Sequence, residues 1–187
     1  MQGIGFNEHY GLQTAVFEGR KTMTLRKEPG FDLLTETNHR FEDGVVKLYF
    51  EGSYHPTIIK PRYHIGEVVA VRQAYKEFRD EFINSMFGKP GWSNKMFVAP
   101  SLMKKHIRFT DLKVERLQSI SDEDCMKEGV IETTDGFTGE KVYTFLGSEI
   151  NYMFATTAFA TLIDKTSGKG TWERNQFMPA YTFELID

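Results

Sequence analysis

The chain has 187 residues, enough for one domain with some elaboration or at most two small ones. Hydrophobic residues at 40% and aromatics at 14% can fill a core, which excludes a disordered chain. Lys and Arg number 23 against 26 Asp and Glu, a formal charge of -3, so whole-chain attraction to nucleic acid or anionic lipid is excluded and only local basic patches remain for such contacts.

In chain order, Leu12, Ala15 and Val16 at i, i+3 and i+4 predict a helix from about Asn7 to Glu18, with Gly19 placed for a left-handed cap. Thr22, Thr24 and Arg26 then alternate with Met23 and Leu25, so an extended segment puts the hydroxyls on one face and apolar anchors on the other. An Asp43-Gly44 turn opens a strand from Val45 to Phe50. Glu67 to Arg72 reads as a second strand, its Val-Val-Ala-Val run suited to burial on both faces. Tyr75, Phe78, Phe82 and Met86 follow helical spacing to a stop at Gly88 and Pro90, and Pro90 to Ser101 has loop composition.

Ile107 to Leu117 is a strand whose apolar parity changes from Ile107 and Phe109 to Leu112 and Val114, which places a bulge near Thr110-Asp111. Ser121, with Asp124 three residues on as in a capping box, opens a short helix that Gly129 closes. Acidic Thr133 to Lys141 reads as a loop. Ile150 to Ile163 reads as a helix with Ile150, Met153, Phe154, Ala158 and Leu162 on one side, and Phe177, Tyr181, Phe183 and Leu185 as one face of a final strand. Strands outnumber helices and short parallel crossovers do not recur, so the expectation is an α+β domain built around a small barrel or curled sheet.

Chemistry-bearing motifs are sparse. There is no glycine-rich phosphate loop, and His9, His39, His55, His64 and His106 are scattered without metal-ligand spacing, so neither a metal nor a cofactor is expected. The single Cys125 allows no intrachain disulfide and reads as a small buried hydrophobe, with a reducing, cytoplasmic setting as the default. Met1 to Tyr10 has no long apolar run. Tyr152 to Ile163 is too short to span a bilayer and is broken by Thr156, Thr157 and Thr161, so no membrane partner is expected.

The basic loop Gly19-Arg20-Lys21-Thr22-Met23-Thr24-Leu25-Arg26 is the candidate site. Together with Tyr63 to Arg72, Ile107 to Val130, and Thr171-Trp172-Glu173-Arg174-Asn175 running into the last strand, it resembles the ASCH domain of the PUA-like superfamily, the four segments standing in the family's order. The longer phage- and bacterium-encoded ASCH-like proteins look most similar. The resemblance implies a PUA-like small mixed β-barrel with flanking helices, one domain over 1–187 with insertions at about 31–61, 76–100 and 131–147. It also implies a cleft beside the barrel for RNA or a modified nucleoside. Small bacterial relatives are amidohydrolases acting on an acetylated cytidine, and their catalytic lysine, threonine and glutamate fall on Lys21, Thr24 and Glu128. Arg20, Thr22, Arg26 and Arg72 are the candidate substrate-binding residues.

The chemistry of those residues is coherent. A threonine hydroxyl attacks only once a base takes its proton, and a lysine serves as that base when its pKa is lowered. Arg20 and Arg26 stand close to Lys21 in sequence, so like-charge repulsion is expected to lower it. Glu128, at the negative end of its helix, has its charged form disfavoured by roughly 0.3–1 kcal/mol, which suits a proton donor to a leaving amine. Plainer roles fit too: Arg20 and Lys21 as solvated complements of a helix end, Thr22 and Thr24 as ordinary strand residues, Glu128 as a surface residue.

A second basic cluster, Lys104, Lys105 and Arg108 with Lys60, Arg62 and Arg72, is a candidate phosphate-contacting patch, and Tyr63, Tyr75 and Trp92 are candidate stacking residues. Trp172 and Asn175 read as packing and turn-fixing residues. Three functions stay open: a module that holds RNA or a nucleoside, an amidohydrolase of an N-acylated nucleoside such as N4-acetylcytidine, and a phage or mobile-element accessory protein making protein contacts.

Overall fold

The computed structural model describes residues 1–78 and 85–187. In chain order its strands are β1 (Gly3–Ile4), β2 (Met23–Leu25), β3 (His39–Glu42), β4 (Val45–Leu48), β5 (Thr57–Ile59), β6 (Val68–Val71), β7 (His106–Arg116), β8 (Ile131–Thr134), β9 (Lys141–Thr144) and β10 (Phe177–Leu185). The α-helices that lie wholly within the described residues are α1 (Leu12–Phe17), α2 (Asp122–Lys127), α3 (Ala155–Ser167) and α4 (Thr171–Arg174). The class is α+β, as the pattern of strands and helices predicts.

The main sheet has the order β1-β6-β7-β10-β2, with β1 parallel to β6 and the other pairs antiparallel. Its outer strands β1 and β2 do not pair with each other, so the described residues form an open sheet and no closed barrel. The long pair β7–β10 carries the bulge that parity predicts: Thr182 faces Asp111 while Phe183 faces Phe109, so Thr110 is the extra residue. That insertion lets Ile107, Phe109 and Leu112 all stay buried despite the change of parity. The core joins these residues to Val69, Tyr181, Phe183 and the α3 side chains Phe159, Leu162 and Ile163. Burying each such large apolar side chain contributes about 1.5–3 kcal/mol, and α3 is held on the sheet chiefly in this way.

Residues 39–59 form a separate three-stranded sheet, β3-β4-β5, in which β3 and β4 are joined by a tight turn at Asp43 and Gly44, whose φ angles of 53° and 74° suit a two-residue hairpin. Phe31, Leu34, Val46 and Leu48 give it a small core of its own, shared with Phe177 of β10.

Several boundaries differ from expectation for identifiable reasons. The first helix is shorter, because Gly11 at φ 62° splits off a 3-10 turn, Glu8–Tyr10, that the Asn7 side chain caps. Residues 133–141 are not simply a loop: β8 and β9 form a hairpin, and Asp135 closes its turn by accepting from the amides of Phe137 and Thr138. The helix expected from Ile150 starts only at Ala155. Tyr152 is held extended by two backbone bonds to Tyr143, at 2.7 and 2.8 Å, which leaves Ile150, Met153 and Phe154 exposed. The buried stripe of α3 is Ala155, Ala158, Phe159, Leu162 and Ile163. The Ser121 hydroxyl caps α2, but the Asp124 carboxylate turns to Lys113 and Lys127 and does not complete the reciprocal box. The middle of the helix expected through Phe82 lies outside the described residues, and its start is a 3-10 turn at Tyr75–Glu77. Among the described residues no helix is long and apolar enough to cross a membrane.

Candidate functional site

Two helix ends converge on the site, and each is finished by a glycine. After α1 the Gly19 amide donates to Val16 and the Arg20 amide to Ala15, the two bonds of a Schellman cap, with Gly19 at φ 72°. That turn sends adjacent cations in opposite directions. Arg20 points into solvent and pairs with Glu18, whereas Lys21 is 2% exposed. After α2 the same motif recurs: Gly129 donates to Met126 at 3.0 Å and Val130 to Cys125 at 3.1 Å, with Gly129 at φ 113° and the Cys125 and Val130 side chains both buried. Glu128 is the C-cap residue of α2.

The end of α2 is clasped to β2 by polar bonds. The Thr22 amide donates to the Lys127 carbonyl at 3.0 Å, and the Leu25 amide donates to a Glu128 carboxylate oxygen. The Lys21 ammonium donates to the carbonyls of Met23 and Glu128 at 2.8 Å each and to the other Glu128 carboxylate oxygen at 2.5 Å. All three N–H bonds of the ammonium are thereby satisfied in a buried setting, which is what a buried cation needs.

Beside this pair lies a cavity of about 300 Å³ lined by Lys21, Thr24, Arg26, Lys27 and Glu128, with Gly5, Phe6, Asn7, Leu12, Leu25, Ile163, Thr166 and Ser167 completing the wall. Thr24 is 4% exposed and opposite Tyr181 in the sheet. The Lys21 ammonium is held below the usual lysine range mainly by burial, which Glu128 opposes, and Arg26 lowers it slightly further. Arg20 faces away and is not among the causes, so desolvation rather than sequence neighbours sets the direction. Arg26 lies over the Phe6 ring at 5.3 Å and donates from one Nη to the Gly5 carbonyl at 3.1 Å. Its Nε is withdrawn from solvent and has no partner, and burial lowers its pKa.

The cavity therefore brings Lys21, Thr24, Glu128 and Arg26 together, and leaves Arg20, Thr22 and Arg72 out. Thr22 contributes only its backbone to the clasp. Arg72 sits at the β1–β6 pair, its amide donating to Ile4 and its guanidinium close to Gly3. Lys104, Lys105 and Arg108 also lie away from the cavity: Lys104 is over the Phe78 ring, the Lys105 carbonyl accepts from Val71, and Arg108 pairs with Glu184 at 3.1 Å. Tyr63 and Tyr75 are core residues, not stacking platforms, at 3% and 5% exposure, with Tyr63 stacked on Phe109. Trp92 packs edge-on against Phe87. Trp172 packs on Phe159, and Asn175, at φ 43°, accepts from the Gln118 amide and fixes the turn before β10. Cys125 is fully buried with its thiol pushed up to about 12, so it is a packing residue.

Sequence reasoning passes over Lys27, Phe6, and the Thr166–Ser167 end of α3. Only Lys27 carries a signal, its contiguity with the basic loop; the others reach the cavity through tertiary packing. It also passes over Glu28, which is 8% exposed and accepts from the Tyr181 hydroxyl at 2.8 Å and the Arg62 amide at 2.9 Å. Among the described residues no three His, Cys, Asp or Glu side chains are grouped to hold a metal ion. No family model, no curated protein and no solved structure matches the chain.

Proposed function

We propose that this chain is an ASCH-like protein of the PUA-like superfamily, and that its cavity beside β2 binds a nucleoside, free or within RNA. The observation that carries the reading is the meeting of Lys21 after α1, Thr24 on β2 and Glu128 at the end of α2 on one cavity of about 300 Å³. That volume is at the small end of ligand pockets, suited to a single nucleoside and not to a large cofactor. The wall mixes the Phe6 ring and aliphatic Leu12 and Ile163 with several polar groups, a mixture that matches a flat base carrying amide and carbonyl edges. The β7–β10 pair, bent at its Thr110 bulge, supports reading the main sheet as the curled sheet of a PUA-like barrel.

A second reading, hydrolysis of an N-acylated nucleoside, is favoured by the direct pairing of Lys21 with Glu128 beside Thr24 on the cavity wall. Burial disfavours the Lys21 ammonium, and in this reading the proton it gives up passes along that contact to the Glu128 carboxylate, leaving an amine. The amine can then take the Thr24 proton as the hydroxyl oxygen adds to the acyl carbon. The acid can give its proton to the departing amine as the C–N bond breaks. Water next cleaves the threonyl ester, releasing the carboxylic acid and restoring the hydroxyl. Titration calorimetry with cytidine and N4-acetylcytidine tests the binding reading, and chromatography of the incubated mixture for cytidine tests turnover. Absence of heat with either compound would rule out the nucleoside pocket; heat without cytidine release would leave a binding module.

A further inference from the structure

We propose that the ligand of this cavity carries a phosphate seated on Arg26 and Lys27, so that the site takes a nucleotide in preference to a neutral nucleoside. The proposal rests on the nucleoside reading and adds to it the charge of the ligand. Its basis is an imbalance at the cavity wall, where three cations, Lys21, Arg26 and Lys27, stand against the single carboxylate of Glu128. Glu128 is already matched, one oxygen by the Lys21 ammonium and the other by the Leu25 amide. Glu28, two residues beyond Arg26, is matched as well, by the Tyr181 hydroxyl and the Arg62 amide. Neither Arg26 nor Lys27 forms an ion pair among the described residues.

Arg26 is the more telling of the two. Its guanidinium rests on the Phe6 ring, gives one hydrogen bond to Gly5, and keeps an Nε that is out of reach of water and without any acceptor. The carboxylates of Glu128 and Glu28 answer its charge only through space, without a hydrogen bond or ion pair to the guanidinium, so a donor is left over for an anion in the cavity. A planar guanidinium offers paired N–H donors that match two oxygens of a phosphate, and its burial strengthens that contact. Lys27, exposed at the rim, adds a second positive charge. The excess is local, since the chain as a whole is acidic, at -3. The phosphate can belong to a free nucleotide or to a strand, and the two are separated by the ligands chosen.

The test is calorimetry on the intact chain with N4-acetylcytidine, its 5′-monophosphate, and a dinucleotide containing the same base. One charge-assisted contact corresponds to about a tenfold gain, so one of the two phosphate-bearing compounds is expected to bind at least that much tighter than the nucleoside. The gain should shrink at high salt. Arg26→Gln with Lys27→Gln should bring the phosphate-bearing ligand down to the affinity of the nucleoside. Should the double variant not fold, as near-ultraviolet circular dichroism would reveal, Lys27→Glu at the exposed position should still cut the gain several-fold. Equal affinity for nucleoside and both phosphate compounds overturns the proposal while leaving the nucleoside pocket standing, as does a gain that survives every variant. No binding of any of the three overturns both.

Discussion

The Lys21 ammonium lies 2.5 Å from a Glu128 carboxylate oxygen, and the two side chains are only 1% and 7% exposed. Two further acceptors, the carbonyls of Met23 and Glu128, complete the ammonium, and the Leu25 amide engages the second carboxylate oxygen. A buried pair is tolerable in this fully bonded form and intolerable when halved. Lys21→Met, which strands the carboxylate, is therefore expected to cost about 3–5 kcal/mol in urea unfolding. Lys21→Met combined with Glu128→Leu removes both charges and should cost clearly less than the two single changes added together. Additive costs would show that the two groups do not act as a unit.

The same burial sets a pH dependence. Lys21 is lowered from 10.5, first by desolvation, so between its folded value and 10.5 the unfolded chain holds a proton that the folded chain has lost. Stability contributed by this group consequently rises with pH across that window, and the gap in urea midpoint between the wild type and Lys21→Met should widen as pH climbs from neutrality toward 10. If the chain hydrolyses N4-acetylcytidine, turnover should rise through the same lowered pKa, with a midpoint below that of a free lysine. Thr24→Ala and Lys21→Ala should each reduce it by about 10²–10⁴-fold. A rising limb centred at or above 10.5 would remove Lys21 from the role of base.

How much of this was legible in the chain differs from one residue to the next. Gly19 and Gly129 are readable as caps because a left-handed position after a helical pattern is a local requirement, and the Thr110 bulge is readable because parity is local too. Arg20 and Lys21, by contrast, look alike as a charged dipeptide; only the direction of the Schellman turn decides that one is solvated and the other buried. Ile150, Met153 and Phe154 mimic a helical stripe, yet the backbone bridge from Tyr152 to Tyr143 pre-empts it, and that pairing is invisible in a window of local spacing. Phe6, just after β1, and Ser167, at the end of α3, reach the cavity by tertiary packing alone. The charge excess at Arg26 and Lys27 likewise emerges only once the carboxylates of Glu28 and Glu128 are seen to be engaged elsewhere.

The two capping glycines make unequal predictions. A Cβ on Gly19 would meet nothing within 4 Å, so Gly19→Ala carries only the cost of a left-handed alanine, about 1–2 kcal/mol. A Cβ on Gly129 would stand 2.6 Å from the Leu12 side chain, at φ 113°, so steric displacement adds to backbone strain. Gly129→Ala should therefore be the more destabilising by at least about 1 kcal/mol, and because Leu12 and Glu128 both line the cavity it should also weaken nucleoside binding. Thermal unfolding and calorimetry of the two variants check both statements, and equal losses would mean that the seat against Leu12 is immaterial.

Glu28 gives a pH dependence of the opposite sign. Burial raises its pKa above 4.5, against the pull of the Tyr181 hydroxyl, the Arg62 amide, and the charges of Arg62 and Arg26. Between 4.5 and the raised value the folded chain holds a proton that the unfolded chain has released, so stability contributed by this group falls as pH rises through that window. Glu28→Gln keeps an acceptor for Tyr181 but cannot titrate. Its deficit relative to the wild type should be largest at pH values below 4.5 and should shrink as the pH passes through the window, read as the difference in urea midpoint at each pH. A deficit that grows with pH would mean that the charged carboxylate, held by Tyr181 and Arg62, is the stabilising form, and that its hydrogen bonds outweigh the desolvation.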